Sequence, residues 1–234
     1  MGRRPATERL DRAMVVFWEK GYYDTSIDVL VSRTGLHRAA VYGEFGSKRR
    51  LFEATLWRYR EKVLPALFAP LARPDAGLAD IDRFFRGIHH AAAGPKKRLG
   101  CLMVNTASEV SPHLRSVARI VSSYLGDLRV LLRRACVNAR TRGEIRSDTD
   151  VDRTADYLVG SVLGLWTLAR SPVPRTVLEH YTDGLVALLK RLGAEKVEIA
   201  DELSKDQPGN LDRVARRRGG GRSVREGAAG RVIA

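Results

Sequence analysis

Residues 25–51 read TSIDVLVSRTGLHRAAVYGEFGSKRRL and contain two short helical segments separated at Gly35. Thr25 as an N-cap with Asp28 three residues later resembles a capping box, which predicts the start of the first helix. Gly35 stands where a residue of positive φ ends that helix, and Leu36 then opens the second. The spacing therefore predicts two helices joined by a tight turn, a helix-turn-helix.

The second of these helices has two different faces. Val41 and Phe45 are four residues apart, so they share one face, which we expect to be buried. In a helix-turn-helix the start of the second helix meets base edges in the major groove, where Arg binds guanine and small apolar groups contact the thymine methyl. The residues on that side are His37, Arg38, Ala39, Ala40 and Tyr42, with Tyr42 better placed for a phosphate. The pattern predicts a protein that binds double-stranded DNA.

A cationic turn opens the next helix. Ser47 is a suitable N-cap, and Lys48, Arg49 and Arg50 follow it directly. Each cation at a helix N-terminus costs about 0.3–1 kcal/mol against the macrodipole. A DNA phosphate at that end offsets this cost. A solvated run of charges is the alternative, and the adjoining helix pair favours the phosphate interpretation.

Residues 8–60 resemble the N-terminal domain of the tetracycline-repressor (TetR/AcrR) family. The similarity runs from an amphipathic helix bearing Leu10 and Phe17 through EKGYYDTS, TGLHRAAVYGEF and SKRRLF. It implies an all-α homodimer with a three-helix DNA-binding head and a larger C-terminal helical domain that binds a small molecule and dimerises. By position, the resemblance implies phosphate contacts for Thr25, Ser26, Tyr42 and Lys48, and base contacts for His37, Arg38, Ala39 and Ala40.

The chain departs from that family's pattern at four positions. The family often has a small polar residue at His37, Gly or Pro at Ala39, Thr or Ser at Ala40, and an aromatic residue or His near Glu44. A carboxylate beside a phosphate is repelled, so Glu44 either points elsewhere or accepts a hydrogen bond from a cytosine amine. We therefore derive no operator sequence from these residues.

Composition agrees with a DNA-binding regulator. The 234 residues are 44% hydrophobic, enough for a small head and a larger core, and carry a net charge of +14. No apolar run approaches the roughly 18–20 residues of a membrane helix. There is no export signal and only two cysteines, so we expect a soluble, cytoplasmic protein without membrane contact.

We expect three regions: a DNA-binding domain over 1–60, an effector-binding and dimerisation domain over 61–194, and a tail over 195–234. From Arg213 onward the tail holds seven Arg and one Glu among Gly-rich sequence. Such a segment is expected to be disordered and to add salt-sensitive attraction to DNA. An inert extension is the alternative.

The middle region shows helical periodicity throughout. The patterns predict a helix from Leu51 to about Leu71 that is kinked or ends near Pro65 and Pro70, and then helices over 78–88, over the segment GCLMVNTASEV, from Pro112, over 151–169 and over 175–192. The last two have more apolar positions than one core requires, which indicates a dimer interface, with ordinary intrachain packing as the alternative. The predicted interface residues are Gly160, Gly164, Leu178, Tyr181 and Leu185.

An effector pocket among helices is expected to be apolar with a few polar groups. The candidates are Phe84, Phe85, His89, Cys101, Met103, Asn105, Tyr124 and Trp166, each of which also fits a packed core. Asn105 is the best polar candidate, and its alternative is a bond to neighbouring backbone. Cys101 begins a helix after Lys96, Lys97 and Arg98, which predicts a lowered thiol pKa, whereas a buried Cys is inert.

Catalytic patterns are missing from the sequence. No His, Cys or carboxylate set has the spacing of a zinc site, and no Gly-rich loop follows a strand and opens a helix. We expect no enzyme activity, metal or cofactor. The prediction is a repressor that a small-molecule effector releases from a pseudo-palindromic operator. The alternatives are a constitutive, architectural DNA-binding protein and a thiol-based sensor of oxidants or electrophiles through Cys101.

Overall fold

Helices follow one another along residues 6–94 and 99–205, the part of the chain that the computed structural model describes, with side chains described as far as residue 191. No strand occurs in those two ranges, which confirms the predicted all-α fold. The helices are α1 (Ala6–Lys20), α2 (Ile27–Thr34), α3 (Arg38–Phe45), α4 (Lys48–Lys62), α5 (Leu64–Ala72), α6 (Leu78–Ala93), α7 (Leu102–Glu109), α8 (Arg115–Thr141), α9 (Val151–Arg170) and α10 (Arg175–Lys205).

Helices α1–α4 form the part that we call the head. α1 packs against α2 and α4, and α3 packs against α4. Phe17 of α1 and Phe52 of α4 meet edge to face with ring centroids 4.9 Å apart. Leu30 of α2 and Val41 of α3 are fully buried in the same cluster. The short α2 and α3 are therefore held by packing against longer helices rather than by their own propensity.

Helices α5–α10 form the C-terminal domain. In α6 the residues Ile81, Phe84, Phe85 and Ile88 recur with helical spacing and are all buried. The 27-residue α8 packs against α9 and also contacts α4, α5, α6 and α7. α8 therefore contacts both the head and the other helices of the C-terminal domain.

Several predicted helix ends are wrong, most of them by a few residues and the end of the last helix by 13. Ser26, not Thr25, caps α2, and its hydroxyl accepts from the Val29 N–H at 3.2 Å. α3 starts at Arg38 rather than at Leu36, with His37 as its N-cap. The break predicted near Pro65 is confirmed, because the segment from Leu51 to Leu71 consists of two helices that meet at Val63 with Pro65 in the first turn of the second, whereas Pro70 lies inside that second helix. The helix predicted from Pro112 starts at Arg115, and the last helix continues to Lys205.

Residues up to Gly193 form one compact unit, and the predicted boundary after residue 60 falls inside α4. A second unit starts at Ala194, and its described residues, 194–205, are helical. Within the described ranges, no helix has the length and hydropathy to cross a bilayer. The predictions for Lys96, Lys97, Arg98 and the Arg-rich tail concern groups outside the described part.

Candidate nucleic-acid interface

The turn between α2 and α3 is fixed by a short series of hydrogen bonds. Gly35 has φ of 71°, as predicted, and its N–H donates to the Val31 carbonyl at 3.2 Å. The Thr34 hydroxyl donates to the Leu30 carbonyl at 2.6 Å and accepts from the Leu36 N–H at 3.1 Å. Since Thr34 and Leu36 are also buried, the direction of α3 relative to α2 is set by packing and hydrogen bonds together.

α3 presents one of its faces to solvent. Val41 is fully buried and Phe45 packs against the core cluster, so these residues hold the helix in place. On the opposite face, the N-cap residue and three helical residues are exposed, namely His37, Arg38, Ala39 and Tyr42. Ala40 on the same face is partly buried. Tyr42 is the largest of them and is 51% exposed. This is the arrangement that insertion into a major groove requires.

Arg38, the predicted base-reading cation, already has a partner in α2. Its guanidinium donates to a carboxylate oxygen of Asp28, and the two side chains are 59% and 78% exposed. A guanidinium carries five N–H donors, so one edge remains available for a base. Sequence reasoning assigned Asp28 to a capping box and missed this contact, because the two residues are ten positions apart on different helices.

Glu44 is paired inside the head. Its carboxylate is 2.9 Å from the guanidinium of Arg9 in α1, a side chain that is only 10% exposed. The Arg9 guanidinium offsets the charge of the Glu44 carboxylate and ties α3 to α1. Arg9 is thus a residue that sequence reasoning missed, since nothing local marks its partner 35 positions away.

The start of α2 corrects the role predicted for Thr25. Thr25 is fully buried and its hydroxyl donates to the Gly21 carbonyl at 2.6 Å, so that hydroxyl is not available to a phosphate. Ser26 is exposed at the helix N-terminus. Of these two neighbouring hydroxyl groups, that of Ser26 is therefore the one that faces solvent.

Lys48 lies half-buried at the start of α4. Its ammonium donates to the carbonyls of Tyr22 and Thr25, each at 2.9 Å, and lies 4.3 Å from the centroid of the Tyr22 ring. Burial lowers the pKa of Lys48. An ammonium has three donors, so one remains for a phosphate while two attach α4 to the turn between α1 and α2.

Two contacts join that turn and α1 to the C-terminal domain. Glu109, the last residue of α7, accepts from the Tyr22 and Tyr23 N–H groups at 2.8 and 3.1 Å. The Trp18 indole N–H of α1 lies 3.2 Å from the Leu99 carbonyl and 3.1 Å from that of Gly100. The end of α7 and the segment before it are therefore both hydrogen-bonded to the head.

The residues predicted to bind an effector are mostly packed in the core. Phe84, Phe85, Met103, Tyr124 and Trp166 are all buried. None of the eight predicted residues lines the cavity of about 670 Å³ that lies at the ends of α6 and α9.

In that predicted set, Asn105 and His89 have polar partners within the protein, whereas the buried indole N–H of Trp166 has no hydrogen-bond partner among the described residues. The Asn105 amide donates to the Leu99 carbonyl at 2.7 Å, which is the backbone bond that the sequence left as the alternative. His89 Nδ1 lies 3.5 Å from the Thr182 hydroxyl, which connects α6 to α10. These contacts account for both side chains without an effector.

Cys101 is fully buried among hydroxyl groups. The Tyr59 hydroxyl donates to its sulfur at 3.6 Å, and the Tyr124 hydroxyl is 4.0 Å away. Burial raises the pKa of Cys101, so the lowered pKa predicted from the sequence is wrong. Loss of hydration of the thiolate outweighs the hydrogen bonds that favour it.

The predicted interface residues divide into two groups. Leu178 and Leu185 are buried within the chain, and Gly164 packs against Tyr181, whose hydroxyl would be 3.1 Å from an added Cβ. At Gly160 an added Cβ would meet no atom within 4 Å. Among the described residues of these two helices, the exposed large apolar side chains are Tyr157, Val177 and Leu188, and Val173 is exposed in the connection between the helices. These residues and Gly160 are the parts of α9 and α10 that packing within the chain leaves uncovered.

Two family models match the N-terminal and the C-terminal part of the chain separately. Residues 10–55 match the family model described as "Bacterial regulatory proteins, tetR family", and residues 77–184 match "Tetracyclin repressor-like, C-terminal domain". The uncharacterized HTH-type transcriptional regulator YezE of Bacillus subtilis (strain 168) is 30% identical over 77% of this chain and 93% of its own length. The HTH-type transcriptional repressor ComR of Escherichia coli (strain K12) is 31% identical over 69% of this chain and 77% of its own length.

A solved structure has the same fold. It holds a cysteine mutant of the TetR family transcriptional regulator CifR complexed with 26bp double-strand operator DNA. That protein is 25% identical to this chain, with a TM-score of 0.68 over 82% of this chain and 97% of CifR. The helices of the head are therefore arranged as in a protein that has been observed on its operator.

Proposed function

We propose a function from one premise: this chain belongs to the tetR family of bacterial regulatory proteins. The protein binds operator DNA as a homodimer, represses transcription, and is released by a small-molecule effector. It acts on the chromosome and so works in the cytoplasm, without catalytic activity of its own. The observation that carries this proposal is the exposed N-terminal face of α3, supported from behind by Val41 and Leu36.

Each side chain on the α3 face has a specific role in the proposal. Arg38 binds guanine with the guanidinium edge that Asp28 leaves open, and Ala39 and Ala40 contact thymine methyl groups. His37 faces the same base edges from the N-cap position. Ser26, Tyr42 and the third donor of Lys48 hold phosphates and fix the register of the head on the duplex.

Two copies of the chain are required for a palindromic site. We place the contact between them on α9 and α10, around Gly160 and the exposed Tyr157, Val177 and Leu188. Gly160 lets another backbone approach closely, which offsets the cost of about 1 kcal/mol that Gly carries within a helix. The two α3 helices then meet successive major grooves roughly 34–36 Å apart.

A selection from random duplexes followed by equilibrium binding tests this function. The parent is expected to enrich one pseudo-palindromic sequence, and Arg38→Ala is expected to lose about 1–3 kcal/mol of discrimination at one base pair of each half-site. Arg86→Ala, which removes an exposed cation from α6, is the matched control and is expected to bind like the parent. Steep salt dependence without sequence preference would show instead an architectural DNA-binding protein.

A further inference from the structure

A cavity of about 670 Å³ lies where the end of α6, the end of α9 and the start of α10 come together. This volume is within the range of about 300–1,000 Å³ that is typical of small-molecule sites. Its walls are mostly small or apolar, and the lining residues are Ala92, Ala93, Leu168, Ala169, Arg170, Ser171, Pro172, Val173, Pro174, Arg175 and Leu178.

The charges of this cavity are of one sign. Among the described residues, Arg170 and Arg175 are the charged ones that line it, and no described carboxylate does. Arg175 is paired with Glu179 at 3.3 Å, whereas Arg170 has no ion-pair partner among the described residues. A guanidinium beside the apolar side chains of Leu168, Val173 and Leu178 suits a molecule with a carboxylate at one end and a hydrocarbon body, because the fork of Arg donors matches a carboxylate.

Arg170 also contacts the segment that holds the head. Its Cγ and Cδ atoms lie so close to Gly100 that a Cβ there would be 2.8 Å from both, and Gly100 has φ of 64°. The neighbouring carbonyls of Leu99 and Gly100 accept from the Trp18 indole of α1. Movement of the Arg170 side chain toward a ligand therefore removes packing from the backbone that α1 contacts.

We propose that this cavity binds a small organic carboxylate through Arg170. We further propose that this binding alters the position of the head through the contact of Arg170 with Gly100 and the hydrogen bonds of Trp18. The effect on the head rests on the proposed function, since it is measured as a change in operator binding. Carboxylate binding in the cavity does not depend on DNA. The site differs from the residues that the sequence pattern indicated, all of which lie outside its lining.

Ligand binding is tested on the full chain with hexanoate and benzoate as probes, and with 1-hexanol and benzyl alcohol as neutral counterparts. Titration calorimetry and thermal shift with up to about 10 mM of each compound are expected to show binding of the acids only, since the alcohols carry no charge for Arg170 to bind. A thermal shift reports this binding because a ligand stabilises the folded form to which it binds. Arg170→Gln is expected to lower the affinity for both acids at least about tenfold. Arg153→Ala, which removes a 90% exposed cation at the other end of α9, is expected to leave binding unchanged.

Three outcomes would overturn the binding site. They are the absence of binding by either acid, equal binding of acids and alcohols, and parent-like affinity in Arg170→Gln. Because Arg170 is an exposed side chain, its substitution is not expected to prevent folding. Circular dichroism of the variant establishes that directly.

The coupling is tested separately with Trp18→Phe, which keeps an aromatic ring beside Tyr59 and removes the indole donor. The acids are expected to weaken operator binding by the parent, and this variant is expected to bind the acids normally but to lose most of that effect. Acid binding with no effect on the parent's operator affinity would overturn the coupling alone. A parent that selects no operator would contradict the proposed function while leaving the calorimetric result intact.

Discussion

Replacing Glu109 by Ala removes a carboxylate that joins the C-terminal domain to the head. One oxygen of Glu109 accepts the Tyr22 and Tyr23 N–H groups at 2.8 and 3.1 Å. Gly21 permits this approach, because a Cβ at that position would be 2.7 Å from the same oxygen. The turn that receives these bonds is also the turn that Lys48 contacts from α4.

The expected loss of stability follows from these two bonds. A hydrogen bond to a charged group contributes about 1.5–3 kcal/mol, and leaving a partly buried N–H without its partner has a similar cost. The Tyr23 bond is exposed, so water replaces it in part. Glu109 also stands at the C-terminus of α7, where a negative charge costs about 0.3–1 kcal/mol, and removing the carboxylate recovers this. The net effect is about 2 kcal/mol.

Urea unfolding at one fixed protein concentration measures this effect, since the stability of an oligomer depends on concentration. Glu109→Ala is expected to lower the free energy of unfolding by about 2 kcal/mol, and Glu109→Gln, which keeps an acceptor oxygen, by about half as much. Glu61→Ala removes an exposed carboxylate and is the control. A Glu109→Ala protein within about 0.5 kcal/mol of the parent would refute the reasoning, as would equal losses in the Ala and Gln variants.

Asp28→Asn removes a negative charge beside Arg38 on the proposed DNA-binding surface. Its affinity for random DNA is expected to rise about twofold to fivefold at low salt and to approach that of the parent at high salt, as fluorescence anisotropy measures. Unchanged or weaker binding would contradict this placement of Asp28. Burial raises the pKa of Cys101 and raises that of Cys136 to about 11, so both thiols are expected to resist alkylation at pH 7 until the chain unfolds. A raised thiol pKa contributes no pH dependence below the unfolded value of about 8.5 and reduces stability as the pH rises toward 11. Rapid alkylation of the folded protein at neutral pH would show that the burial is wrong.

Local signals predicted the turn between α2 and α3 and the buried face of α3. Gly35 predicted the turn because a residue of positive φ is needed there, and the spacing of Val41 predicted which face of α3 is buried. Thr25 and Ser26 are both good N-caps in isolation. The choice between them is made by the Gly21 carbonyl, which takes the Thr25 hydroxyl, and no local pattern contains that information.

Contacts between distant residues explain what the sequence did not predict. Arg9 pairs with Glu44 and Glu109 contacts the turn after α1 only because the helices pack in this order. In the C-terminal domain an apolar stripe looks the same whether it lines a pocket or fills a core, so the aromatic candidates were indistinguishable from core residues. For Cys101 the sequence showed charges but not burial, and burial determines the direction of its pKa.

The central claim is that α3 of each of two copies occupies a major groove of one operator. Hydroxyl-radical footprinting of the selected operator measures this directly. The account predicts two protected segments on one face of the duplex, with centres about one helical turn apart, and loss of both in Arg38→Ala at concentrations where the parent is bound. Continuous protection without a preferred sequence, or the same footprint in the variant, would contradict it.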